Sequence, residues 1–155
     1  MFSTDSLFQI ALQRQKEQHL PYYGALTVEE TYQLLQTHPT TQLIDVRTRA
    51  ERDWVGRVDI PAHQHHSIEW MLYPNNTPNP DFITQLQTLI PDQSTPLVFL
   101  CRSGVRSDKA TTLATQQGYS FCFNILYGFE GDKDQYGHRK TINGWCHANL
   151  PWVGA

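Results

Sequence analysis

The chain has 155 residues, 39% of them hydrophobic, and a formal net charge of −3, which is typical of one globular domain with a sizeable core. The basic residues are few and dispersed, so we expect no nucleic-acid partner. No apolar run approaches the roughly 20 residues that cross a bilayer, and the N-terminus lacks the basic and apolar regions of a secretion signal, so we expect no membrane association. The three cysteines show neither disulfide-framework nor metal-ligand spacing, which favours a reducing, cytoplasmic location.

The N-terminal region is predicted to be helical. Residues 5–19 show the apolar spacing of an amphipathic helix. We therefore divide the chain into an N-terminal helical extension, residues 1–24, and a main domain, residues 25–155. The first helix of the main domain begins at a capping box formed by Thr27 and Glu30.

Strand and helix patterns then alternate along the main domain, which predicts an α/β fold around a mostly parallel sheet. The predicted strands lie at residues 42–46, within 56–68, at 96–100 and at 120–126. The predicted helices lie at residues 48–54, 82–89 and 108–114. Residues 75–80 are predicted as a loop that leads into a helix, and residues 128–151 as an ordered loop rich in glycine and aromatic residues.

The most informative segment runs from Cys101 to Ser107 and reads Cys-Arg-Ser-Gly-Val-Arg-Ser. It places a cysteine where a buried strand ends and a helix begins, so the unpaired N–H groups of the helix N-terminus surround the sulfur. Such surroundings stabilise a thiolate and any anion bound to it, and Arg102 and Arg106 add positive charge. An inert buried cysteine is the alternative, but Gly104 and the two arginines favour a reactive one.

Several further motifs accompany this loop. They are Leu43-Ile44-Asp45-Val46-Arg47, Glu51, Gly56, Ile60-Pro61-Ala62, Gly118, Gly144-Trp145 and Leu150-Pro151-Trp152. Together with the loop they resemble a single-domain rhodanese, a member of a sulfurtransferase family. The resemblance implies a three-layer rhodanese-like sandwich, in which a five-stranded parallel sheet is flanked by helices and the cysteine loop lies at the carboxyl end of the central strand.

The resemblance also implies sulfur transfer through a persulfide on Cys101, which would act as the catalytic nucleophile. The N–H groups of the residues after it would bind the sulfur anion, and these substrate-binding residues are Arg102, Ser103, Gly104, Val105 and Arg106. Arg106 would steer a small anionic donor, and Arg102 would raise the local potential. For each arginine, a surface charge or a structural ion pair is the alternative.

The expected partners are a sulfur donor, such as thiosulfate or a persulfide, and an acceptor thiol, small or protein-borne, or cyanide in vitro. Ser103 stands where thiosulfate-using members of the family often carry a basic residue, which leaves the donor open. The sequence also leaves the oligomeric state open. No cofactor is expected.

Three residues are predicted to support the loop. Ser107 closes it, and Asp45 and Arg47 lie at the end of a neighbouring strand, where α/β sheets bind ligands. We interpret Asp45 and Arg47 as a structural pair that fixes the loop.

The remaining chemistry-bearing side chains are predicted to be structural. Cys122 is expected in the core, and packing is also the favoured interpretation of Cys146, with a second sulfur-receiving thiol as the alternative. One local histidine cluster lacks cysteine or carboxylate partners at metal-ligand spacing, so we expect no metal site; it consists of His63, His65 and His66.

Two other functions are open on the same scaffold. A cysteine-dependent phosphatase or arsenate reductase is disfavoured by loop length, because cysteine phosphatases use Cys-x5-Arg, whereas Cys101 and Arg106 form Cys-x4-Arg. The shorter ring suits one extra sulfur atom better than a tetrahedral phosphate. A non-catalytic rhodanese-like binding module is disfavoured because such modules often lose the cysteine, whereas this chain keeps Cys101 within an intact loop.

Overall fold

A computed structural model describes residues 1–154 of the chain. Its helices are α1 (Thr4–Gln18), α2 (Val28–Thr37), α3 (Arg49–Trp54), α4 (Phe82–Leu89) and α5 (Val105–Gln116), with a 3-10 turn at Ala62–Gln64. Its strands are β1 (Gly24–Leu26), β2 (Gln42–Asp45), β3 (Arg57–Val58), β4 (His65–Ser67), β5 (Met71–Leu72), β6 (Thr77–Pro78), β7 (Leu97–Leu100), β8 (Cys122–Ile125) and β9 (Trp152–Val153).

Five of these strands form one sheet in the order β1-β8-β7-β2-β4. Every neighbouring pair in it is parallel. Strand β7 is therefore the central strand, and the chain that leaves its carboxyl end enters α5. The predicted five-stranded parallel sheet is confirmed.

Side chains on the central strands alternate between two separate cores, which shows that both faces of the sheet are covered. Leu43 and Val98 belong to the core that contains residues of α1 and α2, whereas Ile44 and Phe99 belong to the core that contains residues of α4 and α5. Successive strand residues point to opposite faces, so continuous apolar strands bury a layer of helices on each side. The three-layer sandwich is thus confirmed.

Helix α1 shares the first of these cores. Leu7 and Ala11 are fully buried in it, and an added Cβ on Gly24 would overlap the backbone of Ala11, so the helix lies directly against β1. Arg14 also pairs with Glu30 in the predicted capping box of α2, at 2.6 Å. The proposed division of the chain at residue 24 stays a prediction.

Two short pairings were not expected from the sequence. Within the predicted loop at residues 75–80, β6 pairs antiparallel with β5, and at the C-terminal end β9 pairs antiparallel with β3. Each strand has two residues, too few for an alternating pattern to be visible.

Helix α5 begins at Val105, earlier than the predicted start at residue 108. None of the helices in the described part of the chain is long and apolar enough to cross a bilayer.

Candidate active site

Cys101 lies at the carboxyl end of β7, with 1% of its surface exposed. The chain turns immediately after it and enters α5 through Gly104, whose φ of +104° suits glycine far better than any other residue. This turn brings the N–H group of Gly104 to the cysteine, where it donates a hydrogen bond to Sγ at 3.0 Å. Gly104 offers the helix no side-chain cap, so the N–H groups of the first turn stay available to an anion near the sulfur.

A buried polar pair lies on the other side of the sulfur. Ser107 Oγ is 3.2 Å from Cys101 Sγ and donates to Asn124 Oδ1 at 2.6 Å. The amide of Asn124 is oriented by the Gly104 carbonyl, which accepts from its Nδ2 at 3.2 Å. Because Ser107 has one hydroxyl proton, it accepts from the Cys101 thiol while it donates to Asn124. Rotation of the hydroxyl would let it donate to a thiolate instead.

The backbone of the cysteine loop rests on the segment that follows β8. The Phe129 N–H donates to the Cys101 carbonyl at 2.8 Å, and the Glu130 N–H donates to the Arg102 carbonyl at 2.9 Å. Gly128 allows this approach, since it has a φ of +62° and an added Cβ would lie 2.6 Å from the carbonyl carbon of Arg102. This segment, residues 128–151, is the tail of the chain, and it therefore fixes the position of the loop.

Asp45 and Arg47 form a fully buried ion pair beneath this segment. Arg47 Nη2 donates to Asp45 Oδ2 at 2.8 Å and to the Gly56 carbonyl at 2.9 Å. Its guanidinium lies 4.3 Å from the centre of the Phe129 ring, a cation–π contact. The predicted structural pair is present, and it reaches the cysteine loop through Phe129.

Arg106 is paired with a carboxylate from α3. Its two terminal nitrogens donate to Glu51 Oε1 at 2.6 Å and to Oε2 at 2.9 Å, and Glu51 also caps α3 through Thr48. Burial opposes ionisation of Glu51, but the Arg106 and Thr48 hydrogen bonds outweigh it and lower the pKa of Glu51 to about 2. The structural ion pair named as the alternative for Arg106 is therefore formed, and its steering role stays a prediction.

A cleft of about 730 Å³ opens above the sulfur. Its lining includes Trp70, Met71 and Tyr73, which come from the start of the β5–β6 hairpin and the residue before it. Its lining also includes four cationic side chains, and these are Arg102, Arg106, Lys109 and Arg139. The site is thus a cysteine at the floor of an electropositive, partly aromatic cleft.

The structure brings the predicted site residues together. Cys101 and its successors as far as Ser107 form one loop, and Asp45 and Arg47 lie below it. Sequence reasoning missed Asn124 and Arg139, because strand β8 was interpreted only as core and the tail shows no periodic pattern.

The other two thiols lie in the cores. Burial raises the pKa of Cys122 to about 12, and burial also raises the pKa of Cys146, to about 11. His65 and His66 are neighbours on β4, so their side chains point to opposite faces. No group of three potential metal ligands converges among the described residues.

An open parallel sheet whose central strand ends in a cysteine loop at a helix N-terminus defines a class of α/β proteins with a cysteine at the carboxyl edge of the sheet. Within that class, this chain belongs to the rhodanese-like family, whose domain model, Rhodanese-like domain, matches residues 27–135.

The chain is also similar to other proteins of known sequence or structure. An uncharacterised protein of Rickettsia rickettsii is 37% identical across 79% of this chain and 91% of its own length. The crystal structure of Rv0390 from M. tuberculosis is also 37% identical, with a TM-score of 0.79, and the match covers 86% of this chain and 99% of that one. The solution structure of a polysulfide-sulfur transferase homodimer from Wolinella succinogenes has a TM-score of 0.61 over 97% of this chain and 90% of that one. It is 20% identical, so its likeness concerns the fold.

Proposed function

We propose that the protein is a sulfurtransferase that carries a sulfane sulfur on Cys101. The observation that carries this proposal is the hydrogen bond that the Gly104 N–H donates to Cys101 Sγ at 3.0 Å. It lies beside a helix N-terminus that has no side-chain cap. This arrangement favours negative charge on the cysteine sulfur and on a second sulfur attached to it. The three cysteines suit a reducing compartment, and we place the activity in the cytoplasm.

The reaction has two nucleophilic steps. In the first, the Cys101 thiolate attacks the outer sulfur of a donor such as thiosulfate, the sulfur–sulfur bond of the donor breaks, and sulfite leaves with the electron pair. In the second, an acceptor thiolate or cyanide attacks the outer sulfur of the persulfide and regenerates the Cys101 thiolate. Ser107 can follow these changes of charge by rotating its hydroxyl, because it contacts Sγ in both orientations.

A phosphatase or arsenate reductase is less well supported. The loop from Cys101 to Arg106 is Cys-x4-Arg, one residue shorter than the Cys-x5-Arg loop of cysteine phosphatases, so its ring has less room for a tetrahedral anion. Arg106, the residue that would hold such an anion, is engaged by Glu51 through two hydrogen bonds. A binding module without activity would not require the buried Ser107 and Asn124 contacts around the thiol.

The proposal is tested by turnover with thiosulfate and cyanide, measured as thiocyanate and sulfite. We expect turnover by the wild type and by Cys146→Ser, and none by Cys101→Ser. The same proteins are assayed with an aryl phosphate, which we expect them to leave intact. Phosphate release that depends on Cys101 would favour the phosphatase. Inactivity of the folded wild type toward both thiosulfate and inorganic polysulfide would favour the binding module.

A further inference from the structure

The cleft above Cys101 has an excess of unpaired positive charge. Among the described residues that line it, Glu51 is the one carboxylate, and it is already engaged by Arg106. Arg102, Lys109 and Arg139 form no ion pair within the part of the chain that the structure describes. The whole chain has a net charge of −3, so this excess belongs to the cleft and attracts anions to it.

Arg139 is the most informative of these cations. It comes from the C-terminal segment, beyond residues 27–135 matched by the family model. Its Nη1 donates to the Gly131 carbonyl at 2.7 Å, which holds the side chain in place while its remaining N–H groups stay free for a ligand. A guanidinium held in this way is suited to a planar carboxylate.

The lining of the cleft also includes apolar and aromatic side chains, with which an inorganic anion would make no favourable contact. Trp70 is fixed by an edge-to-face contact with Phe82, at 5.0 Å between ring centres, and Tyr73 keeps 58% of its surface exposed. The cleft volume of about 730 Å³ is in the usual range of small-molecule sites, roughly 300–1,000 Å³. An occupant that contacts both kinds of side chain has a carbon skeleton and more than one negative group.

We propose that the partner that exchanges sulfur with Cys101 is a small organic thiol that carries at least two carboxylates. Arg139 and Lys109 bind the carboxylates, and Trp70, Met71 and Tyr73 pack against the carbon chain. This inference rests on the proposed function. In the exchange, the thiolate of the partner attacks the outer sulfur of the Cys101 persulfide. The bond between the two persulfide sulfurs breaks, Cys101 keeps the electron pair as a thiolate, and the outer sulfur leaves as the persulfide of the partner.

The first test measures binding and needs no turnover. The Cys101→Ser protein is titrated in a calorimeter with S-methylmercaptosuccinate and with its uncharged dimethyl ester. We expect the diacid to bind at least about 10-fold more tightly, because a hydrogen bond to a charged group contributes roughly 1.5–3 kcal/mol. Arg139→Gln should reduce this preference about 10-fold, Arg139→Lys should retain part of it, and Lys133→Gln, an exposed substitution on the same segment, should leave it unchanged.

The second test measures transfer. Wild-type protein is loaded with thiosulfate, freed of excess donor and mixed with mercaptosuccinate or its dimethyl ester, while the loss of the persulfide is followed by intact mass. We expect the ratio of the two rates to favour the diacid, to fall about 10-fold in Arg139→Gln, and to fall with added salt.

The two tests separate the failure of this inference from the failure of the proposed function. A persulfide that forms and reacts with cyanide but shows no preference for the diacid would overturn the inference alone, and would leave a neutral or protein-borne thiol as the partner. Equal binding of diacid and diester would overturn it even in the absence of turnover. Preferential binding of the diacid by a protein that never forms a persulfide would count against the proposed function instead.

Discussion

Replacing Glu51 by glutamine removes the negative charge opposite Arg106 while it keeps the size of the side chain and an oxygen that accepts from the Thr48 N–H. The pair is partly buried, with 23% of the Arg106 side chain and 22% of the Glu51 side chain exposed. The substitution therefore tests whether α3 is held to the cysteine loop by this charge.

The magnitude follows from the pKa of Glu51, which lies at about 2 instead of the ordinary 4.5. At about 1.4 kcal/mol per pH unit this corresponds to roughly 3 kcal/mol of preference for the ionised carboxylate. Solvent near the pair reduces that figure, so we expect Glu51→Gln to lose about 1–3 kcal/mol at pH 7. Because folding lowers the pKa, this stability is fully present above pH 4.5 and is lost as the pH falls toward 2, with about half of it remaining near pH 3.

The assay is urea unfolding of the wild type and Glu51→Gln at several values between pH 7 and pH 3. The difference between their free energies of unfolding should be constant above pH 5 and should shrink below pH 4.5. Asp53→Asn is a matched control, because the ion pairs of Asp53 are exposed and longer, at 3.4 and 3.5 Å, and it should lose less than about 1 kcal/mol. A variant as stable as the wild type at pH 7, or a difference that is unchanged at pH 3, would refute this reasoning.

Three further predictions concern the surroundings of the sulfur. Gly128→Ala would push the backbone of the cysteine loop away from its support, and we expect a loss of about 100-fold in turnover with thiosulfate and cyanide; a loss below twofold would show that the tail does not position the loop. Asn124→Ala leaves the hydroxyl and carbonyl that it contacts without an amide partner, which should cost about 1–3 kcal/mol in urea unfolding, and unchanged stability would contradict the buried network. Iodoacetamide at pH 8 should alkylate one cysteine of the wild type and none of Cys101→Ser, because burial raises the pKa values of Cys122 and Cys146 and keeps these thiols protonated. An adduct on either core thiol would disprove this.

The sequence predicted the parts of the site that depend on neighbouring residues. An apolar run, a cysteine, a glycine and a helical pattern follow one another between residues 96 and 114, and that order alone places the thiol at a helix N-terminus. The Asp45 and Arg47 pair was also predictable, because the two residues are close in sequence and follow a strand.

The rest of the site depends on contacts between distant segments. Arg106 and Glu51 are 55 residues apart, and their pairing requires that α3 and α5 lie at the same edge of the sheet. Asn124 reaches Ser107 only because β8 pairs with β7 in a register that aligns it with Phe99. The position of Arg139 depends on a tail without regular structure, for which local patterns carry no information.

Intact mass of the protein after incubation with thiosulfate tests the central claim most directly. We predict that the wild type gains one sulfur atom, that dithiothreitol removes it, and that Cys101→Ser gains none. The account would be contradicted by a folded wild type that gains no sulfur from thiosulfate or from inorganic polysulfide, or by a sulfur adduct that persists in Cys101→Ser.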